Sequence, residues 1–201
     1  MIPKYGQFGL SRGDSLLAKS ILFFMWTYCK LVIHRPTDSL WNHAFLIVKL
    51  YGKPYVLEAN SKAVRGKWFK NPFTGTIYFH DVYKNCVKIT KWECTDYARG
   101  EVEYTLMDMI IPWTEKEIDL MTQLALYFEG RPYDYSEILC QIVKGLTGKE
   151  IGKEGQAAER ALICSELDST VANHLRPGWS KNPAKDNPMD IFFNVNLKLA
   201  S

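Results

Sequence analysis

Hydrophobic positions in this chain fall into short continuous runs in the first half and helically spaced ones further on. Gly13-Asp14-Ser15 is a turn signal just before Leu16 and marks the entry to the first regular element. Ser20 to Leu31 is apolar nearly all round, which predicts a deeply buried helix, ended by the polar loop His34-Arg35-Pro36-Thr37-Asp38. The clearest strand signals follow. His43 to Val48 and Tyr55 to Ala59 are near-continuous apolar runs, joined by a hairpin-length connection from Lys49 to Pro54. A turn centred between Leu50 and Tyr51 sets His43 directly opposite Glu58, at a cross-strand spacing of about 5 Å. A turn centred on Gly52-Lys53 keeps both on one face but offset by four residues. The pattern allows either register.

Lys62 to Pro72 is basic and aromatic and predicts a loop; Thr76 to His80 and Cys86 to Trp92 predict further strands. Glu93 to Gly100 is polar, and Val102 to Ile111 is a strand or an extended segment. Pro112 opens a helix in which Thr114 and Glu117 form a capping box, with Ile118, Met121, Leu124, Ala125 and Phe128 on one face. Gly130-Arg131-Pro132 stops it. A further helix is predicted from Ser136 to Lys144, then a solvated connection from Thr147 to Arg160. Another helix starts at Cys164, whose face Leu167, Val171 and Leu175 continue. Pro177-Gly178-Trp179 turns the chain. Asn187-Pro188-Met189-Asp190 predicts a capped short helical turn, and Phe192 to Leu199 a closing edge strand.

The length, 201 residues, suits one domain spanning 1–201 with a proper core. A formal charge of only +3, with no long basic run and no aromatic-basic repeat, argues against nucleic acid as the partner. Five cysteines at irregular spacing include no CxxC pair, and the four histidines no metal-type spacing, so neither a metal nor another cofactor is expected. The thiols are expected to be reduced and the compartment cytoplasmic. The start, Met1-Ile2-Pro3-Lys4, does not resemble a secretory signal. Ile21 to Ile33 is too short, and interrupted by Lys30, for a spanning helix of about 20 apolar residues, though peripheral contact with a membrane surface is compatible with it.

Chemistry concentrates on Cys164. A thiol at a helix start feels the positive end of the helix dipole, which favours the thiolate, the attacking form. Most buried cysteines are simply small core hydrophobes, so a catalytic role needs a base and an acid to orient it. His43 opens a buried strand, where a titratable ring is costly unless paired. Glu58 lies between Leu57 and Ala59 in an otherwise apolar strand and needs a partner; His43 is one candidate, Lys62 and Arg65 are others. A Glu–His pair fixes the imidazole tautomer and stabilises the imidazolium. Tyr133 and Tyr135 are candidates to donate an O–H to a developing oxyanion, as well as to pack at a helix junction. His34 and His80 sit at loop edges, and His174 lies about 15 Å down the cysteine's own helix.

Taken together, Gly13-Asp14, Asn42-His43-Ala44, Val56-Leu57-Glu58-Ala59, Pro132-Tyr133-Asp134 and Ile163-Cys164-Ser165-Glu166-Leu167 resemble the circularly permuted, papain-like branch of the NlpC superfamily, to which YiiX-like cysteine amidases and peptidases belong. The order His, acid, Cys is the reverse of papain's, as the permutation implies. The resemblance implies an α+β fold: an antiparallel sheet or small barrel packed against a helical part that carries the cysteine helix. It implies Cys164 as nucleophile, His43 as base and Glu58 as the residue orienting His43. Tyr133 matches the family better than Tyr135. The implied reaction is hydrolysis or transfer at an amide or ester, on a cell-wall-type peptide or a lipid-linked acyl group. Lys67, Trp68 and Phe69 are candidates to hold such a substrate. A lipid- or peptide-binding protein without turnover, or an acyltransferase, are the alternative readings. Asp168 departs from the family, which has a small apolar residue there, and Lys91 to Pro112 matches none of its pattern.

Overall fold

The computed structural model describes residues 2–13, 19, 21–23, 26, 41–60, 67–70, 77–80, 86–134, 162–183 and 186–197. It is a mixed α+β structure. Strands β1 (Phe8–Arg12), β2 (His43–Leu50), β3 (Lys53–Asn60), β6 (Cys86–Lys91) and β7 (Glu103–Met107) form one antiparallel open sheet in the order β6-β3-β2-β1-β7. Strands β4 (Lys67–Lys70) and β5 (Ile77–His80) pair as a separate ribbon. The helices are α1 (Glu115–Phe128), α2 (Cys164–Leu175) and α3 (Pro188–Leu197).

Both faces of the sheet are covered, which is why β2 and β3 are apolar without alternation. On one face Phe8, Leu10, Ala44, Leu46, Leu57, Val87 and Ile89 meet the apolar sides of the three helices. On the other, Phe45, Ile47 and Val56 pack against Trp92 and Tyr97, with Val102, Tyr104 and Leu106 at the margin. Helix α1 starts at the predicted capping box: Thr114 Oγ1 accepts from the Glu117 amide at 3.2 Å, and Glu117 Oε2 accepts from the Thr114 amide at 2.7 Å. It ends before Gly130, whose φ of 82° only glycine adopts freely.

The hairpin takes neither predicted register. Leu50 pairs with Lys53 and Leu46 with Leu57, so the turn is Tyr51-Gly52. Both residues have positive φ, 53° and 69°, the backbone of a tight two-residue hairpin turn whose twist matches the strands. Glycine at the second position permits it at little cost.

Four other expectations are corrected. The first strand is β1, before the Gly13 turn; it was hidden because Gly9 and Ser11 break its apolar pattern. Lys67 to Lys70 is strand rather than loop. Of the edge strand expected from Phe192 to Leu199, the described part to Leu197 is helix instead, because Met189, Ile191 and Val195 are buried on α3, which runs on from its Asn187 cap. Residues 21–23 and 26 are helical, but Phe23 and Trp26 are 59% and 45% exposed while Ile21 packs on the core, so burial there is one-sided. The polar loop at 34–38, the helix expected at 136–144 and the connection at 147–160 lie outside the described residues. Among the described residues, no helix is long and apolar enough to cross a membrane.

Candidate active site

One end of the sheet gathers the chemistry. At that end β3 finishes at Asn60, which pairs with Cys86 at the start of β6, and β2 begins at His43, opposite Ser11. Cys86 in turn bridges to Pro132, and Tyr133 bridges to Leu162, two residues before Cys164. The Leu162 amide donates to the Pro132 carbonyl at 3.0 Å. Pairing along the sheet edge thus carries the start of α2 to the start of β2. Leu167 and Val171, both fully buried, seat the helix on the apolar face of the sheet.

Asn42, just before His43, ties this end to β1. Its side-chain oxygen accepts from the Gly13 amide at 3.1 Å and its amide nitrogen donates to the Gly13 carbonyl at 3.3 Å. His43 and Glu58 share the aromatic-covered face of the sheet, and the observed register sets them diagonally rather than opposite. Diagonal neighbours are about 7–8 Å apart at the backbone, within reach of two long side chains. His43 Nε2 lies 2.8 Å from Glu58 Oε2. That oxygen also accepts from the Tyr97 hydroxyl at 2.9 Å and from Asn60 Nδ2 at 3.2 Å. With Nε2 taken by Glu58, Nδ1 is the ring nitrogen left to meet the Cys164 thiol, to which His43 is also hydrogen-bonded.

The three titrations are locked together. Burial opposes charge on the His43 ring, but the charge and hydrogen bond of Cys164, followed by those of Glu58, outweigh it and push the ring from 6.5 up to about 10. Burial alone would raise the Cys164 thiol. The imidazolium of His43 and the backbone amides of Ala44 and Ser165 reverse that, so the thiol sits below its ordinary value. Burial likewise works against the Glu58 carboxylate, and His43, Tyr97 and Asn60 overcome it to hold the group below the usual range. All three shifts run in the direction that favours a thiolate, an imidazolium and a carboxylate in a row.

Other candidates stand differently. Tyr133 is half-buried against the core beside Leu162, at the level of the cysteine helix. Tyr135 lies outside the described residues, as do Lys62 and Arg65. Lys67, Trp68 and Phe69 belong to β4, away from the five-stranded sheet's hydrogen bonding. His174 bonds the Thr170 carbonyl of its own helix at 2.8 Å. Among the described residues, no group of three or more His, Cys, Asp or Glu side chains is arranged to hold a metal ion.

Sequence reasoning missed Tyr97, Asn60 and the state of Asp168. Asp168 is fully buried one helical turn below Cys164, and neither carboxylate oxygen has a hydrogen-bond partner among the described residues. Burial first, then the charge of Cys164, pushes its pKa well above the usual carboxylate range. No sequence signal singles out Tyr97, since a phenol in the polar stretch between Trp92 and Tyr104 is ordinary and names no partner.

No family model matches the chain, and no curated protein matches it by sequence. Among solved structures, it is similar to the metalloprotein yiiX from Escherichia coli O157:H7 (DUF1105), at 17% identity and a TM-score of 0.44, over 96% of this chain and 93% of that one.

Proposed function

We propose that this chain is a cysteine-dependent hydrolase of an amide or ester bond, built on a circularly permuted papain-like fold as a single domain. The observation that carries the reading is the His43 ring held between Glu58, at 2.8 Å, and the Cys164 thiol, with the thiol pulled down and the ring pushed up. Core packing alone asks for no such row of charges, since an apolar residue at each position costs less burial energy.

In this mechanism the Cys164 thiolate attacks the carbonyl carbon of the substrate, and the carbonyl π pair moves onto oxygen. The backbone N–H of Cys164, at the helix start, is one donor to that oxyanion, and the Tyr133 hydroxyl is the candidate second. The tetrahedral species collapses, the bond to the leaving nitrogen or oxygen breaks, and His43 supplies the proton that the leaving group takes. A thioester on Cys164 remains. Neutral His43 then takes a proton from water as that water attacks the thioester, and collapse releases the acid and restores thiolate and imidazolium. Glu58 stays ionised throughout, orienting the ring and stabilising its charge. The substrate class is a peptide or a lipid-linked acyl group.

Incubation with activated acyl esters and with peptide probes, followed by intact mass, tests the reading. The expected result is an acyl adduct mapping to Cys164, absent in Cys164→Ala and persistent in His43→Ala if it forms there at all. Bound ligand that comes off unchanged, with no adduct under any probe, would leave a binding protein instead.

A further inference from the structure

We propose that Tyr97 is a positioning residue for this site, its hydroxyl holding Glu58 charged and in place against His43. The inference rests on the proposed role of the Cys164–His43–Glu58 row. It comes from the stretch 91–112, which shares nothing with the family pattern.

Residues 93–101 are mostly exposed, yet Tyr97 is 7% exposed. Burying a phenol strands its O–H unless a partner is provided. Here the hydroxyl donates to Glu58 Oε2 at 2.9 Å and is hydrogen-bonded to the Ser11 side chain as well. The ring is fixed independently of that bond. It stacks on Phe45 at 4.3 Å with 13° between planes, and meets the edge of Tyr104 at 5.9 Å. The loop beneath is braced by Thr95, whose hydroxyl donates to the Trp92 carbonyl at 2.7 Å and accepts from the Ala98 amide at 3.2 Å.

Two properties follow. Burial, then the neighbouring Glu58 charge, push the phenol well above its ordinary pKa, so the hydroxyl remains a donor across the whole working range. Its position is also set by packing, and its hydroxyl approaches Glu58 more closely than does half-buried Asn60, which reaches it at 3.2 Å from the strand end. Tyr97 is thus the rigid donor. Remove the rigid donor, and Glu58 keeps its burial but loses part of what offsets it. The carboxylate becomes a weaker acid, freer to leave the ring that it orients.

The test is Tyr97→Phe, which deletes one oxygen and keeps the stacked ring. Followed by carbon NMR, the Glu58 carboxyl is expected to protonate at a proton concentration about tenfold lower than in the unchanged protein, the scale of one hydrogen bond to a charge. Alkylation of Cys164 by iodoacetamide at neutral pH is expected to slow by a factor of about three to ten, since His43 is less firmly held. Purely structural packing would move neither readout. Either one unmoved in a Tyr97→Phe protein with an unchanged circular-dichroism spectrum overturns the proposal. Fast alkylation at Cys164 with no acyl adduct under any probe would instead sink the hydrolase reading and leave this one standing.

Discussion

His43 and Glu58 meet at 2.8 Å although the strand register does not make them cross-strand partners. The Tyr51-Gly52 turn sets them on the diagonal, and the length of the two side chains closes the gap. A diagonal contact leaves room at Glu58 for Tyr97 and Asn60 on the same oxygen.

The first prediction concerns the thiol itself. A buried thiol without help has a pKa above the ordinary 9.0, and the positive charge of His43 does most to reverse this. Alkylation of Cys164 at pH 7 should be fast, and should slow at least about tenfold in His43→Ala. The sign with pH follows from the pair. A group raised to about 10, as His43 is, contributes stability that is complete below 6.5 and fades as pH climbs towards 10, while the lowered Cys164 thiol contributes in the opposite sense and offsets it. Turnover that needs the imidazolium should hold through neutral pH and fall only as pH approaches about 10, the value the folded protein gives the ring.

Asp168 makes a second, independent prediction. Its pKa is raised in the folded protein, so the unfolded chain releases a proton that the folded one keeps. Stability from this group is complete below about 3.8 and drops as pH rises, by up to about 1.4 kcal/mol per unit. Asp168→Asn removes the titration. Urea denaturation should show the variant gaining on the unchanged protein between pH 4 and pH 7; a constant gap would mean that Asp168 is ionised in place.

Gly9 has a packing reason to lack a side chain. It pairs with Phe45 across β1 and β2, and an added Cβ would lie 2.0 Å from the Phe45 ring. That ring is fully buried and carries the stacked ring of Tyr97. Gly9→Ala should therefore cost roughly 1–3 kcal/mol in thermal or urea unfolding, the usual scale of overpacking, and disturb the Glu58 carboxyl as well.

Arg176 clasps α1 from the end of α2. Its Nε donates to Glu117 Oε1 at 2.7 Å, its terminal nitrogens to Glu117 and to the carbonyls of Ile111 and Pro112, and its guanidinium lies 4.1 Å from the Trp113 ring centre. Arg176 is the main cause holding Glu117 down at about 2, with the Thr114 cap adding to it. This contribution is present above the ordinary 4.5 and lost as pH falls from there towards 2. Arg176→Met should cost about 1–2 kcal/mol at neutral pH and flatten the acid limb of stability over that window.

Much of the candidate site was legible because its members violate the local pattern. Glu58 is a carboxylate in an apolar strand, His43 a titratable ring at the mouth of another, and Cys164 a thiol at a helix start. Each departure carries a burial cost visible without coordinates. Tyr97 carries no such flag, since an aromatic residue in a polar loop is ordinary, and Asn60 is an ordinary strand-end residue. Strand β4 went unseen because its pairing partner β5 lies beyond an intervening segment.

The sequence by itself determined that β2 and β3 are buried, where α1 is capped and which three side chains need partners, because burial cost and capping are local chemistry. Tertiary structure alone decided which partners they get. The register came from a two-residue turn whose backbone angles no apolar pattern records. Cys164 was carried to His43 by the bridges Cys86–Pro132 and Tyr133–Leu162, which join segments far apart in the chain. Glu58 received a phenol from a loop whose own sequence asks only for solvent.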